Sequence, residues 1–410
     1  MRYRFLGGAS EVGKVGLVME TPGTTVLFDY GFNPSKPPSF PLEAPPLDAV
    51  FLTHAHVDHS GMIPWLAGHD GPPVVATPPT TAMAMLLNED SLKISKNEGF
   101  NLPFDQEDLR KSKRAFDVTD YEEIIDLEDI SVKLISAGHI PGSTMYSVDI
   151  GGRRMLFTGD INTRDTHLVV GTEPDPCDIL FVEGTYATRE HPDRKEVEAA
   201  LLAKVEEVLD RGGQAILPVF AVGRMQEVLM ILSKLKVETW FDGMGRTVNS
   251  MLLEMPEYLR DAKYLARAVE KAKEVYSEHG RDLASQAEVV VTTSGMLEGG
   301  PVLEYIRRRI RDPKSAILLT GYQVKGTNGN RLVETGALDM SGVTEKVHCE
   351  VAAFDLSAHS GHSELVTFIK ACRPEHVVLF HSDNREALAK DLPSDMKVHL
   401  PNNGDRFEID

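Results

Sequence analysis

Thr53-His54-Ala55-His56-Val57-Asp58-His59-Ser60-Gly61 places three histidines and one aspartate in six consecutive positions. The apolar run just before it, Val50-Phe51-Leu52, reads as a buried strand. Imidazole nitrogen and carboxylate oxygen are the ligands that suit zinc and related borderline metals. In extended chain the side chains alternate, so His54 and His56 share one face. The turn that follows brings Asp58 and His59 round to a neighbouring point. One short segment then supplies two ligands to each of two adjacent ions, a better account of the cluster than a surface loop rich in histidine.

Outward from this stretch the same pattern recurs. Thr25-Val26-Leu27-Phe28 ends in Asp29, Ile130 to Ile135 runs on to His139, Arg154-Met155-Leu156-Phe157 leads to Asp160, and Ile179-Leu180-Phe181-Val182 ends in Glu183. With His54 these polar groups predict a row along one edge of a sheet, at loops, where sites commonly lie. Gly61 to Leu66 starts a helix with Pro64 in its first turn. Val74 to Ala76 reads as a strand and Thr80 to Asn88 as a helix, and the acidic stretch up to Asp129 is expected to be helical with loops.

From about residue 190 helices and strands alternate. Lys195 to Arg211 is an amphipathic helix closed by Gly212-Gly213. Ala215 to Phe220, Val289 to Val291 and Ala316 to Leu319 are strands, and Met225 to Leu235 is a helix. Such alternation implies a parallel, helix-covered sheet. After residue 343 short strands return, bearing Ser357-Ala358-His359 and Val377 to His381. The reading is one domain interrupted by another: residues 1–188, 189–343 and 344–410.

Composition bounds the function. With 42% hydrophobic and 26% charged residues in 410, the chain resembles an ordinary globular protein of more than one domain. No apolar run approaches the roughly 18–20 residues of a membrane span, and the N-terminus lacks the features of a signal peptide. Cys177, Cys349 and Cys372 are far apart and form no Cys-x-x-Cys pair, which fits a reducing cytoplasm. A net charge of −19 counts against a nucleic-acid binder. Between Gly300 and Arg331, however, Arg307, Arg308, Arg309, Arg311, Lys314, Lys325 and Arg331 face only Glu304 and Asp312. Part of the surface is therefore suited to a polyanion.

Together these residues resemble the metallo-β-lactamase superfamily, whose H-x-H-x-D-H signature matches His54, His56, Asp58 and His59. Pro218 to Glu227, Thr293 to Pro301 and Gly321 to Thr327 are similar to its inserted β-CASP domain, most of all to the RNA-processing branch. The resemblance implies an α/β fold, a metallo-β-lactamase αββα sandwich interrupted by a β-CASP domain with a mainly parallel sheet, and an active site in the cleft between them. It implies two zinc ions: His54, His56 and His139 on the first, Asp58, His59 and His381 on the second, and Asp160 on both. Asp29 would orient a ligand histidine, while His359, paired with Glu183, would protonate the departing ribose oxygen.

The resemblance further implies a zinc-dependent ribonuclease acting on single-stranded RNA as an endonuclease, with 5′-to-3′ exonuclease activity as an added expectation. Arg224, Ser294, Gln323, Lys325, Thr327 and Arg331 are the expected RNA contacts. A homodimer, association with other RNA-processing factors and a minimal chain without the extensions of longer members are also expected. Ser360-Gly361-His362, His381-Ser382 and the asparagines of Gly326 to Arg331 depart from the family pattern without removing a ligand. A small-molecule hydrolase would not need the insertion, and a non-catalytic scaffold would have lost ligands. Retention of His381 favours RNA over the DNA-repair branch, which has valine there. The other histidines (His69, His167, His191, His279, His348, His362, His376 and His399) read as surface or core residues.

Overall fold

The computed structural model describes residues 1–68, 71–340 and 342–409, so His69 lies outside the described residues. The chain forms two compact units: Met1–Asp165 with Val170–Glu190 and Ala358–Asp410, and Thr166–Val169 with His191–Ser357.

Two seven-stranded sheets make the heart of the first unit. One runs, in spatial order, Arg406–Glu408, Arg2–Gly7, Gly16–Glu20, Thr25–Phe28, Ala49–Phe51, Val74–Ala76 and Phe116–Val118. The other runs Lys397–His399, His376–Phe380, Ile179–Glu183, Arg153–Phe157, Thr144–Ile150, Ser131–Ser136 and Ile124–Asp126. Their inner faces meet through aromatic side chains: Phe28 packs on Phe51, Tyr146 and Phe157 at centroid distances of 5.0–6.0 Å. On the outer face of the second sheet, Leu365, Phe368 and Ile369 of the helix His362–Cys372 cover Leu156, Leu180 and Leu379. Helices Ile63–Gly68, Pro78–Glu98 and Gln106–Ala115 belong to the other side of the unit, where Leu92, Phe104 and Leu109 form their own cluster. Helix, sheet, sheet, helix is the expected sandwich.

Three sequence expectations change in detail. The polar strand ends do not line one sheet: Asp29 and His54 follow strands of the first, whereas His139, Asp160 and Glu183 belong to the second. Facing sheets bring them together because both sets of ends open on the same side. The helix expected over Thr80 to Asn88 runs from Pro78 to Glu98, since Thr77 caps it and its first break is Gly99 at φ 77°. The acidic stretch is not all helical; Phe116–Val118 and Ile124–Asp126 are edge strands, one in each sheet.

In the second unit a six-stranded parallel sheet runs Lys273–Glu274, Thr239–Asp242, Val289–Thr292, Ala215–Pro218, Ala316–Leu319 and Glu350–Ala353. Its central strands are buried at every position, as continuous apolar runs in a sheet covered on both faces should be. Glu350–Ala353 pairs with Ala316–Leu319, so this unit extends to Ser357, past the boundary read at residue 343. Pairing satisfies an edge that would otherwise leave backbone groups open. The Thr166–Val169 segment is also part of it, because Glu227 accepts the backbone N–H groups of His167 and Leu168 at 2.9 and 3.0 Å. Among the described residues no helix is long and apolar enough to cross a membrane.

Charge in the basic stretch is partly spent internally. Arg308 pairs with Asp282 and Glu304, both at 2.7 Å, and Arg309 donates to the Ser285 carbonyl. A second lattice holds Glu198 between His167 at 2.9 Å, Lys234 at 2.8 Å and Arg194 at 3.2 Å. Burial opposes ionisation of Glu198, but His167 and Lys234 outweigh it and bring its pKa down to about 2. Its folded value thus lies below the unfolded one, so the stabilisation is complete above pH ~4.3 and disappears as pH falls toward the folded value. Unfolding free energies of wild type and Glu198→Gln should differ by about 1–2 kcal/mol near neutrality, with solvent screening allowed for, and converge only as pH falls to about 2. A gap that persists unchanged in acid would assign the effect to packing.

Candidate metal centre

The cluster begins with a close backbone approach. The Val15 N–H donates to the Asp58 carbonyl at 2.8 Å and the Tyr30 N–H to the His59 carbonyl at 2.7 Å, pinning the short helix Val57–Ser60. Gly31 lies against it so tightly that a Cβ there would sit 1.9 Å from the Asp58 carbonyl. Asp29 and His381, both non-glycine, hold φ of 57° and 52° at strand ends. Left-handed backbone of this kind costs about 1–3 kcal/mol per residue and is kept where the surroundings over-determine it.

Three of the rings are aimed by an outer nitrogen. His59 Nδ1 lies 2.7 Å from Asp29 Oδ2, His139 Nδ1 lies 2.7 Å from the Ala358 carbonyl, and His54 Nδ1 lies 3.1 Å from Thr53 Oγ1. Fixing one nitrogen sets the tautomer and leaves the other lone pair facing inward. Inside, His54 Nε2 is 3.0 Å from His56 Nδ1, which is 3.2 Å from His139 Nε2. Asp160 turns Oδ2 toward His54 and His139 at 3.6 and 3.8 Å. Its Oδ1 faces His59 and His381 at 3.5 and 3.2 Å. Asp58 Oδ2 completes the second group, 4.0 Å from His59 Nε2 and 3.5 Å from His381 Nε2.

Two ligand groups therefore converge, His54/His56/His139/Asp160 and Asp58/His59/His381. His59 Nε2, His381 Nε2 and Asp160 Oδ1 are buried without a hydrogen-bond partner. Buried polar atoms are normally satisfied, so orphaned atoms pointing at one centre fit a divalent metal ion. Electrostatics agree. Burial, with the neighbouring histidines, holds His54 and His139 below the usual imidazole range, and burial takes His56 down to about 4. Those rings are neutral donors. Burial also disfavours charge on His59 and His381, yet Asp160 overrides it in both, lifting His59 and pushing His381 up to about 10. Asp160 itself is held well below the carboxylate range: burial is outweighed by His59, His381 and His359. The pocket demands positive charge, which a cation satisfies.

Beside the cluster stands a second device. His359 Nδ1 lies 3.0 Å from Glu183 Oε1, and its Nε2 lies 3.9 Å from Asp160 Oδ2. Glu183 is fully buried and also accepts the Ile161 and Thr185 N–H groups at 3.1 and 3.0 Å. Glu183 and Asp160 together overcome the burial of His359 and raise its pKa. Tyr186 packs on the other side, with ring centroids 5.6 Å apart.

Supporting groups escaped the sequence reading. Thr53 gives Asp29 both its N–H and its hydroxyl, at 2.7 and 2.8 Å, and Thr185 Oγ1 reaches His381 Nδ1 at 3.2 Å. A threonine immediately before the first ligand was the available signal. Replacing Asp29 by asparagine should weaken divalent-metal affinity by about 10–100-fold, because the ring of His59 loses its charged partner. Equilibrium metal titration would show this, and unchanged affinity would deny Asp29 that role.

The remaining candidates lie in the second unit, whereas the cluster is built wholly from the first. Arg224 opens the helix Arg224–Leu232 after the strand Ala215–Pro218, Ser294 follows Val289–Thr292, and Gln323 follows Ala316–Leu319. Those strands are parallel neighbours, so their C-terminal loops gather at one end of the sheet. Gln323 is buried and donates to the Gly295 and Gly321 carbonyls. Thr327 caps the helix Asn328–Thr335. Lys325 and Arg331 are exposed. His167, Glu198 and Glu227 also converge, but Arg194 and Lys234 already balance those carboxylates.

Family models place these features. Residues 14–207 match the metallo-beta-lactamase superfamily, 225–332 the Beta-Casp domain, and 344–401 the Zn-dependent metallo-hydrolase RNA specificity domain. The chain is 35% identical to a protein named Probable RNase MJ4 of Methanocaldococcus jannaschii, covering 94% of each. It is 32% identical to RNase aCSPSF2 of Saccharolobus solfataricus, over 99% of this chain and 85% of that protein. A solved structure from Enterococcus faecalis V583, a protein of unknown function, shares the fold with a TM-score of 0.63 at 14% identity and covers 99% of both chains. With its ligand signature, sandwich and insertion all matched, this chain belongs to the metallo-β-lactamase superfamily, in the branch that carries a Beta-Casp domain.

Proposed function

We propose that the protein is a two-metal, zinc-dependent ribonuclease that hydrolyses phosphodiester bonds of single-stranded RNA in RNA processing or decay. The observation that carries this reading is the pair of converging ligand groups with Asp160 turned toward both and His359 alongside. His54, His56 and His139 would hold one ion; Asp58, His59 and His381 the other; Asp160 both. Neutral imidazole and carboxylate donors are the zinc set. Ions held by these residues would supply Lewis acidity toward water and the phosphoryl group.

The chain's own groups do the rest. Glu183 accepts from His359 Nδ1 and, with Asp160, favours the doubly protonated ring, whose second proton sits at Nε2 on the side facing Asp160. From there His359 protonates the departing ribose oxygen as general acid. Lys325 and Arg331, exposed in the second unit, are the phosphate contacts, with the Arg224, Ser294 and Gln323 loops lining the strand end and Thr327 setting the helix behind them. The relatives named as RNases and the RNA specificity domain support RNA as substrate. Assembly as a homodimer belongs to the same proposal.

The test is single-stranded RNA labelled separately at its 5′ and 3′ ends, with zinc and with a chelator. Internal fragments that disappear with chelator support an endonuclease, and nucleotides released from the 5′ end alone support an exonuclease. No cleavage by a chain loaded with two zinc ions overturns the reading.

A further inference from the structure

Cys177 and Cys372 are distant in sequence and adjacent in the first unit. Cys372 ends the helix His362–Cys372, and its carbonyl accepts the Cys177 N–H at 3.1 Å. That bond satisfies one of the carbonyls a helix end leaves over. Standard bond lengths then cap the Cα separation at about 7 Å, within which a disulfide can close. Both side chains are buried in one apolar cluster with Leu156, Leu180 and Phe368. Cys349 lies in the second unit, where its thiol donates to the Arg309 carbonyl at 2.7 Å.

We propose that Cys177 and Cys372 are a disulfide-forming pair that closes the chain around its inserted unit. The oxidant is a peroxide. The sulfur of Cys177, the less buried residue of the two at 7% exposure, attacks a peroxide oxygen to give a sulfenic acid and one water. The Cys372 sulfur then displaces the hydroxyl from Cys177, forming the S–S bond and releasing a second water. Two thiols lose two electrons and two hydrogens, and hydrogen peroxide is reduced to two waters.

The neighbouring Cys372 thiol, with burial, pushes the Cys177 thiol up, so the thiolate is scarce and the reaction is slow. The same enclosure shields the finished bond from reductant. The loop it closes contains residues 178–371, and so all of His191–Ser357. Cross-links that close long loops constrain the unfolded chain most, so this bond is a stability clamp rather than a fast sensor.

The test treats the full chain with hydrogen peroxide, counts thiols after denaturation and maps linked tryptic peptides. The count should fall from three to one, with Cys177 joined to Cys372. The oxidised chain should run faster on a denaturing, non-reducing gel and melt several degrees higher. Cys177→Ser should abolish all four effects, and Cys349→Ser should leave them intact. Peptide mapping of the wild type decides the matter even if a variant misfolds. Three thiols remaining, or a link that involves Cys349, overturns the proposal.

Discussion

Asp160→Asn should lower RNA cleavage by about 10³-fold or more while leaving the chain folded. Asparagine keeps the shape of a side chain that is only 3% exposed, so the facing sheets can still close over it. What it loses is charge at the point where both ligand groups meet. Oδ2 looks toward His54 and His139, and Oδ1 toward His59 and His381. An amide NH₂ in either place turns a donor group toward inward-facing nitrogens and offers no charge to a cation. Metal content by atomic emission should fall together with activity. A variant that binds two ions and cleaves within tenfold of wild type would show that Asp160 is not shared between them.

His359→Ala should produce a different signature. Ions should be retained, because His359 belongs to neither of the two ligand groups and its Nε2 stands 3.9 Å from Asp160 Oδ2. RNA cleavage should fall about 10²–10⁴-fold, the usual cost of removing a positioned acid. The loss should be much smaller on a phosphodiester with a nitrophenolate leaving group, which departs without a proton. Equal losses on both substrates would assign His359 to positioning. Glu183→Gln is the less discriminating variant, since Glu183 also accepts two backbone N–H groups.

The two variants separate parts of the site that were not equally legible. The ligands were readable because metal chemistry restricts residue type: few sequences put three histidines and an aspartate into His54 to His59 without using them. Strand ends were readable for a similar reason, as apolar runs such as Arg154 to Phe157 stop where the next side chain must stay polar. The resemblance then supplied the roles of His139, Asp160, His381 and His359, which no local spacing links.

Local pattern by itself determined the apolar strands, the first ligand segment, the alternating helices and strands after residue 190 and an interrupted domain. It could not decide which sheet each strand joins. Asp29 and Glu183 follow the same local rule, yet one orients His59 from the first sheet and the other orients His359 from the second. Nor did it show that Glu350–Ala353 completes the parallel sheet, that Arg308 is already paired, or that Cys177 meets Cys372. The physical reason is common to all of these. A side chain's character and the alternation of its neighbours are encoded within a few residues, whereas partnership across sheets is settled by burial and hydrogen-bond satisfaction among segments far apart in the chain.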